Sequence, residues 1–94
     1  MKKKNLLFML GESHAPDLLG AIGRPSIRTP NLDRLVSRGM LFDAAYCASP
    51  LCVPARAALA TGRFPHETGY WESSMAYDGN TDSWMKRLRD TGYE

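Results

Sequence analysis

A cysteine, a proline and an arginine at alternate positions form the most reactive combination of residues in this sequence. They are Cys52, Pro54 and Arg56, and an alanine-rich run to residue 60 follows them. Proline suits the first turn of a helix because it lacks an amide hydrogen, and alanine favours helix throughout. Cys52 is therefore expected just before a helix N-terminus, where free amides and the helix dipole favour negative charge. With the planar donor fork of Arg56 one turn further on, this spacing predicts an anion-binding site that contains a nucleophile.

The same residues resemble a known signature. The stretch 52–56, followed by Thr61-Gly62-Arg63, resembles the C-x-P-x-R and T-G-R pattern of the type I sulfatases. In that family a separate maturation enzyme oxidises the cysteine to formylglycine, and the hydrated aldehyde is the catalytic nucleophile. The resemblance implies that Cys52 becomes the group that attacks a small-molecule sulfate ester, and that Arg56 holds the hydrate near a divalent cation. The plainer interpretation, a buried cysteine ahead of an ordinary helix, stays open.

Most of the remaining chain resembles the N-terminal portion of the same family, within the alkaline phosphatase superfamily. The similar segments before the nucleophile are residues 29–35, 39–42 and 45–51. Residues 65–71 and 76–79 resemble the bacterial branch of choline-sulfatase-like and phosphonate-monoester-hydrolase-like members. The resemblance implies an α/β fold with a mainly parallel sheet flanked by helices, of which residues 1–94 form the N-terminal part of the catalytic domain.

A divalent cation is also implied by the resemblance. The first strand of that family normally ends in an aspartate that binds a cation, usually calcium, and here the matching position holds Glu12, with Ser13 beside it. Glutamate offers the same hard oxygen ligand on a longer stem, so Ca²⁺, Mg²⁺ or Mn²⁺ can still be bound. The implied ligands are Glu12, Ser13 and the formylglycine derived from Cys52, and the alternative for Glu12 is a solvated loop acid. The family's other ligands belong to later segments, so the 94-residue chain alone is expected to be inactive.

The apolar residues and turn signals predict alternating strands and helices. Residues 5–10 and 40–46 are short apolar runs typical of strands. The predicted helices run from about Thr29 to Gly39, from Cys52 to Gly62 and over 82–90, and residues 64–79 form an aromatic loop. This alternation indicates an α/β fold. Because so small a sheet exposes strand edges, and residues 88–94 resemble the approach to a further strand, we expect the N-terminal piece of a larger enzyme or a truncated reading frame.

Length and composition narrow the classes of protein. A chain of 94 residues makes one domain at most, and its net charge of +2 is too small to indicate a nucleic-acid partner. The apolar run 6–10 is shorter than a secretory signal or a membrane span, which favours the cytoplasm and no membrane partner. Cys47 is interpreted as a small buried hydrophobe, since a disulfide with Cys52 would consume the nucleophile and is disfavoured in that compartment.

Two other functions stay open from the sequence. A phosphonate or phosphate ester is a tetrahedral anion like a sulfate ester, so a hydrolase of those esters is the first alternative. A non-catalytic remnant, or a module that only binds an anion or a partner chain, is the second. The aromatic residues Tyr70 and Trp71 are either simple packing or a wall for a cationic or sugar leaving group. The oligomeric state does not follow from the sequence.

Overall fold

The computed structural model describes residues 3–23 and 26–94. Its regular elements are a 3₁₀ turn at Pro16–Leu18 and the helices α1 (Pro30–Arg38), α2 (Cys52–Thr61), α3 (Pro65–Thr68) and α4 (Trp84–Asp90). The chain divides into two compact units, Met1–Asp43 and Ala44–Glu94. Lys2 and Pro25, which the sequence places in a solvated terminus and a loop, lie outside the described residues. No helix in the described ranges has both the length and the apolar character that crossing a membrane requires.

The two predicted strands, residues 5–10 and 40–46, are segments without strand pairing, and the described part of the chain contains no strand at all. Their apolar side chains lie open to solvent, with Leu7 81% and Met40 78% exposed. A strand of a parallel sheet is held by hydrogen bonds to a neighbouring strand and by apolar cover on both faces. Neither is present here, so the sheet and the α/β class stay predictions.

In the first unit, α1 begins and ends where the sequence predicts, after Thr29 and before Gly39. Threonine before a helical proline predicts a capping hydrogen bond from the Thr29 hydroxyl, but this bond does not form. The hydroxyl donates to Oδ1 of Asp33 at 2.8 Å and accepts the Gly20 amide at 2.7 Å, while the Ala21 amide donates to the same Asp33 oxygen at 2.9 Å. The first turn of α1 therefore holds the preceding loop. A Cβ at residue 20 would lie 2.8 Å from Asp33 Oδ2, so a larger residue there would displace the side chains that form this contact.

In the second unit, α2 packs against α3 and α4. Its side chains Pro54 and Ala57 are buried, and Tyr70 from the following loop is buried too. Gly62 ends α2 in the left-handed conformation, with φ of 69°, which confirms the predicted C-terminal stop. The predicted last helix is shorter than expected at its start, because Ser83 caps α4 by accepting the Lys86 amide at 3.2 Å.

The end of α4 at Asp90 agrees with the predicted range, and Gly92 two residues later closes the helix. The Gly92 amide donates to the Arg89 carbonyl at 2.8 Å, and the Tyr93 amide donates to the Leu88 carbonyl at 3.2 Å. With φ of 86° at Gly92, this is the Schellman arrangement that closes a helix. The helical spacing predicts that Trp84, Met85 and Leu88 face inward. Trp84 and Leu88 are half-buried, whereas Met85 is exposed, so the prediction is wrong for Met85.

The Asp33 contact gives the first testable prediction. Asp33→Ala removes the carboxylate that accepts the Ala21 amide and the Thr29 hydroxyl, a loss of about 1.5–3 kcal/mol for a hydrogen bond to a charged group. The Ala21 amide should therefore exchange with solvent at least roughly tenfold faster, since about 1.4 kcal/mol corresponds to a factor of ten. Hydrogen exchange followed by NMR measures this. Asp43→Ala is the matched control, and equal exchange in the two variants would contradict the assignment.

Candidate active site

Cys52 is the first residue of α2, one position further into the helix than predicted. Leu51 precedes it in extended backbone, with φ of −110° and ψ of 146°, and has no side-chain oxygen that accepts from the first-turn amides. Pro54 has no amide hydrogen, and the first turn contains no acidic residue. The Cys52 side chain is exposed. The positive end of the helix dipole therefore lies at a solvent-accessible thiol, an arrangement that favours a nearby anion.

A short turn leads the chain into Cys52. The Leu51 amide donates to Ser49 Oγ at 3.3 Å, and the Cys47 thiol donates to the Ser49 carbonyl at 3.1 Å. Cys47 is exposed, so the prediction of a buried cysteine is wrong. The reason is local: the polar Ser49 is the half-buried residue of this turn, and the side chains around it lie in solvent.

Arg56 lies on the same face of α2 as Cys52, because residues four apart on a helix are neighbours. Its side chain is exposed and borders a cavity of about 320 Å³. The other residues that line this cavity are Val53, Ala57, Ala60, Tyr77, Ser83 and Met85. The structure thus places the two predicted catalytic residues one turn apart at the start of α2, and Arg56 borders a mostly apolar cavity.

A second cavity, of about 310 Å³, lies along another face of α2. It is lined by Tyr46, Cys47, Ala48, Ala55, Ala58, Leu59, Gly62, Arg63 and Phe64. Between the two cavities, α2 turns a buried face toward the rest of the unit. Pro54 is fully buried, Ala57 is 5% exposed, and the Thr61 hydroxyl donates back to the Ala57 carbonyl at 2.7 Å.

The predicted aromatic loop 64–79 is wrong at its start, where the short helix α3 forms, and the loop after α3 is fixed by a hydrogen-bonded pair that the sequence does not reveal. The Tyr70 hydroxyl donates to Asp78 Oδ1 at 2.7 Å and accepts the Asp78 amide at 3.1 Å. Asn80 donates to both carboxylate oxygens of Asp78, from its amide and its side chain, at 2.9 Å each. The rings of Tyr70 and Tyr77 lie 5.5 Å apart. Because Tyr77 lines the cavity beside Arg56, this pair helps to position that wall.

The same bonds shift two pKa values in opposite directions. The Tyr70 hydroxyl, and then Asn80, lower the pKa of Asp78 below its ordinary 3.8 because they stabilise the carboxylate. The Asp78 amide acts to lower the pKa of Tyr70, but the Asp78 carboxylate and burial outweigh it, so the pKa of Tyr70 is raised above 10.0. Tyr70 is therefore buried and hydrogen-bonded within its loop, whereas the neighbouring Trp71 is 59% exposed.

The candidate metal ligands Glu12 and Ser13 lie in the first unit, whereas Cys52 lies in the second. Ser13 has φ of 54°, an uncommon left-handed conformation for a residue with a side chain, and the turn is tight enough that a Cβ on Gly11 would lie 3.3 Å from His14 Cβ. Across residues 3–23 and 26–94, no three carboxylate, histidine or cysteine side chains cluster closely enough to hold an ion. The residues described do not by themselves fit a calcium shell of six to eight oxygens.

Comparison with known proteins identifies the class of this chain. The sulfatase family profile matches residues 4–94, nearly the whole sequence. The chain therefore belongs to the sulfatase family, and the resemblance inferred from Cys52, Pro54 and Arg56 is confirmed at the level of the family. The finer assignment to a choline-sulfatase-like branch stays a prediction.

Individual relatives support the same class. An N-acetylglucosamine-6-O-sulfatase of Bacteroides thetaiotaomicron is 33% identical over 93 residues, which are 99% of this chain and 17% of the relative. An N-acetylgalactosamine-6-sulfatase of Sus scrofa is 49% identical over 70 residues, covering 74% of this chain and 13% of the relative. The human steryl-sulfatase is 33% identical over 102 residues, covering 97% of this chain and 18% of the relative. The chain thus spans less than a fifth of these relatives. No solved structure matches it significantly.

The pair of Tyr70 and Asp78 gives a prediction about pH. Since the pKa of Asp78 is lowered in the folded chain, its bond stabilises the loop above the ordinary pKa and is lost as the pH falls through the lowered pKa. Near-ultraviolet circular dichroism of the tyrosines should therefore show an acid transition below pH 3.8 in the unaltered protein. Asp78→Asn keeps an acceptor but cannot titrate, so it should remove that transition.

Glu72→Gln is the matched control, because it removes a carboxylate from the same loop without touching the pair. It should leave the acid transition unchanged. A transition that survives Asp78→Asn would mean that another group holds Tyr70 in place.

Proposed function

We propose that this chain carries the nucleophile of a sulfuric ester hydrolase, in which Cys52 is converted to formylglycine and attacks a sulfate ester. The observation that carries the proposal is the exposed Cys52 at the uncapped start of α2, with Arg56 one turn further along the same face. Membership of the sulfatase family supports it. The exposed thiol is accessible to a maturation enzyme, and the activity belongs to the protein in which this chain is one part.

The chemistry is divided between the modified side chain and the helix that holds it. The hydrated aldehyde supplies one hydroxyl that displaces the alcohol from sulfur and a second whose deprotonation re-forms the aldehyde and releases sulfate. The first-turn amides of α2 stabilise negative charge on the sulfate oxygens, and Arg56 presents a planar fork of donors to the same anion. Burial of Pro54 and Ala57 keeps the start of α2 in place, which matters because small displacements of a nucleophile cost much of the rate.

A divalent cation, with Ca²⁺ first and Mg²⁺ or Mn²⁺ as alternatives, is part of the proposal through the resemblance alone. Glu12, Ser13 and the formylglycine at position 52 are its proposed ligands. Among the described residues, no three histidine, cysteine or carboxylate side chains form a cluster that could hold the ion. Location in the cytoplasm likewise stays a prediction.

The substrate is proposed as a small organic sulfate ester. The relatives reported above are named for two amino-sugar sulfatases and a steryl-sulfatase, so sulfated sugars and a sterol sulfate are the first esters to assay. A choline sulfate and a phosphonate monoester should be included in the same panel, because a tetrahedral anion of either kind suits Arg56 and the amides of α2.

Replacing the nucleophile tests the function directly. Cys52→Ala in the full-length protein should abolish turnover of every sulfate ester while the far-ultraviolet circular dichroism stays unchanged, because Cys52 is exposed and contributes little packing. Cys47→Ala is the matched control and should retain activity. Turnover that survives Cys52→Ala would exclude the proposed mechanism, and an inactive but folded unaltered protein would favour a module that only binds.

Arg56 should act mainly on the bound anion. Arg56→Lys keeps the charge but loses the planar donor fork, so kcat/KM for a sulfate ester should fall by roughly 10-fold to 100-fold, as for the loss of one or two charge-assisted hydrogen bonds. Arg89→Lys, on the exposed face of α4, is the matched control and should change kcat/KM by less than about twofold. An equal effect of the two substitutions would remove Arg56 from the site.

A further inference from the structure

The cavity of about 320 Å³ in the second unit has one charged residue in its lining, Arg56, within the part of the chain that the structure describes. We propose that this cavity takes the alcohol portion of the sulfate ester, and that this portion is a flat apolar ring, as in an aryl sulfate, rather than a sugar. The sulfate half of this ligand rests on the proposed function. Binding of the ring by the cavity does not.

The cavity starts at the turn of α2 that carries the candidate anion site. Four residues of α2 line it, at the spacings of three, four and seven that define one face of a helix: Val53, Arg56, Ala57 and Ala60. Apart from Arg56, these side chains are apolar. An anion held by the Arg56 guanidinium therefore lies at the edge of an apolar surface, where the organic part of the same molecule can be buried.

The hydroxyl groups on the opposite wall of the cavity are already engaged by the backbone. The Tyr77 hydroxyl donates to the Thr81 carbonyl, and Ser83 Oγ accepts the Lys86 amide at 3.2 Å. A sugar in this cavity would bury hydroxyl groups that find no free partner on this wall, and a buried hydroxyl without a partner lowers affinity. An apolar ring has no such cost, so the lining favours it.

The side chains of Tyr77 and Met85 suit an aromatic ring. The Tyr77 ring lies 5.5 Å from the ring of Tyr70, whose hydroxyl is bound to Asp78, so the aromatic wall is formed before any ligand arrives. Met85 is an exposed apolar side chain at the start of α4, and an unbranched thioether adapts to a ring and contacts it favourably. A volume of this size lies at the lower end of the range for small-molecule sites, which suits a small ring system.

The test uses the full-length protein with its methionine methyl groups labelled for NMR, and 2-naphthol and 2-naphthyl sulfate as probes. The Met85 methyl signal, assigned by its loss in Met85→Leu, should shift on titration with either probe, because the ring would lie against it. A sulfated amino sugar carries the same anion without the apolar ring and should leave this signal unchanged.

Two alanines of α2 provide a matched pair of variants. Ala60→Leu fills the proposed cavity, so it should abolish the Met85 shift and lower kcat/KM for 2-naphthyl sulfate by roughly tenfold or more, as for lost room in a hydrophobic pocket. Ala58→Leu adds the same side chain beside the other cavity and should leave both unchanged. Far-ultraviolet circular dichroism checks that both variants fold. Met85→Gln, at an exposed position, is a further variant and should weaken binding of 2-naphthol.

Three results would overturn the proposal. A Met85 methyl group that does not respond to 2-naphthol would mean that other parts of the full-length protein cover the cavity. Equal effects of Ala60→Leu and Ala58→Leu would place the ring elsewhere, and a higher kcat/KM for the sulfated amino sugar than for 2-naphthyl sulfate would reverse the proposed preference. A Met85 response to 2-naphthol without turnover of any sulfate ester would count against the proposed function and leave the ring-binding cavity standing.

Discussion

Burial of Pro54 and Ala57 against the rest of the second unit is the constraint on which the candidate site depends. These two residues are among the few that lose nearly all contact with solvent, and both belong to α2. Because they hold the helix from its buried face, its first residue Cys52 and the neighbouring Arg56 are left at the surface in a fixed orientation. A nucleophile can be exposed and still well positioned only when the helix that carries it is anchored in this way.

The site also shows how a local signal and a packing requirement coincide. Proline is needed inside the first turn because it costs no helical hydrogen bond there, and the same ring fills the small core of the unit. Gly62 then ends α2 with a left-handed φ. The segment 52–62 is consequently defined by its own sequence at both ends.

The helices α1 and α2, which carry their own start and stop signals, could be predicted from the sequence. The four-residue helix α3 was not, although Pro65 and Gly69 bound it, because it lies within the predicted loop 64–79. The strands could not be observed, because a strand exists only with a partner, and residues 5–10 and 40–46 have none within the described chain. The hydrogen bond from the Ala21 amide to Asp33 and the one from Tyr70 to Asp78 were not predicted, for a similar reason. Each joins residues eight to twelve positions apart through a carboxylate, and neither spacing produces a periodic pattern. Cys47 was wrongly predicted as buried, since residue type alone does not report the turn around Ser49.

The central claim is that Cys52 becomes the aldehyde nucleophile of a sulfatase. The most direct measurement is the mass of the peptide containing Cys52 from the native protein, with labelling by an aldehyde-reactive aminooxy probe. The account predicts a peptide in which an aldehyde replaces the thiol, labelled at position 52 and nowhere else. An unlabelled peptide with an intact Cys52 thiol, from protein made in cells that hold an active maturation enzyme, would contradict it.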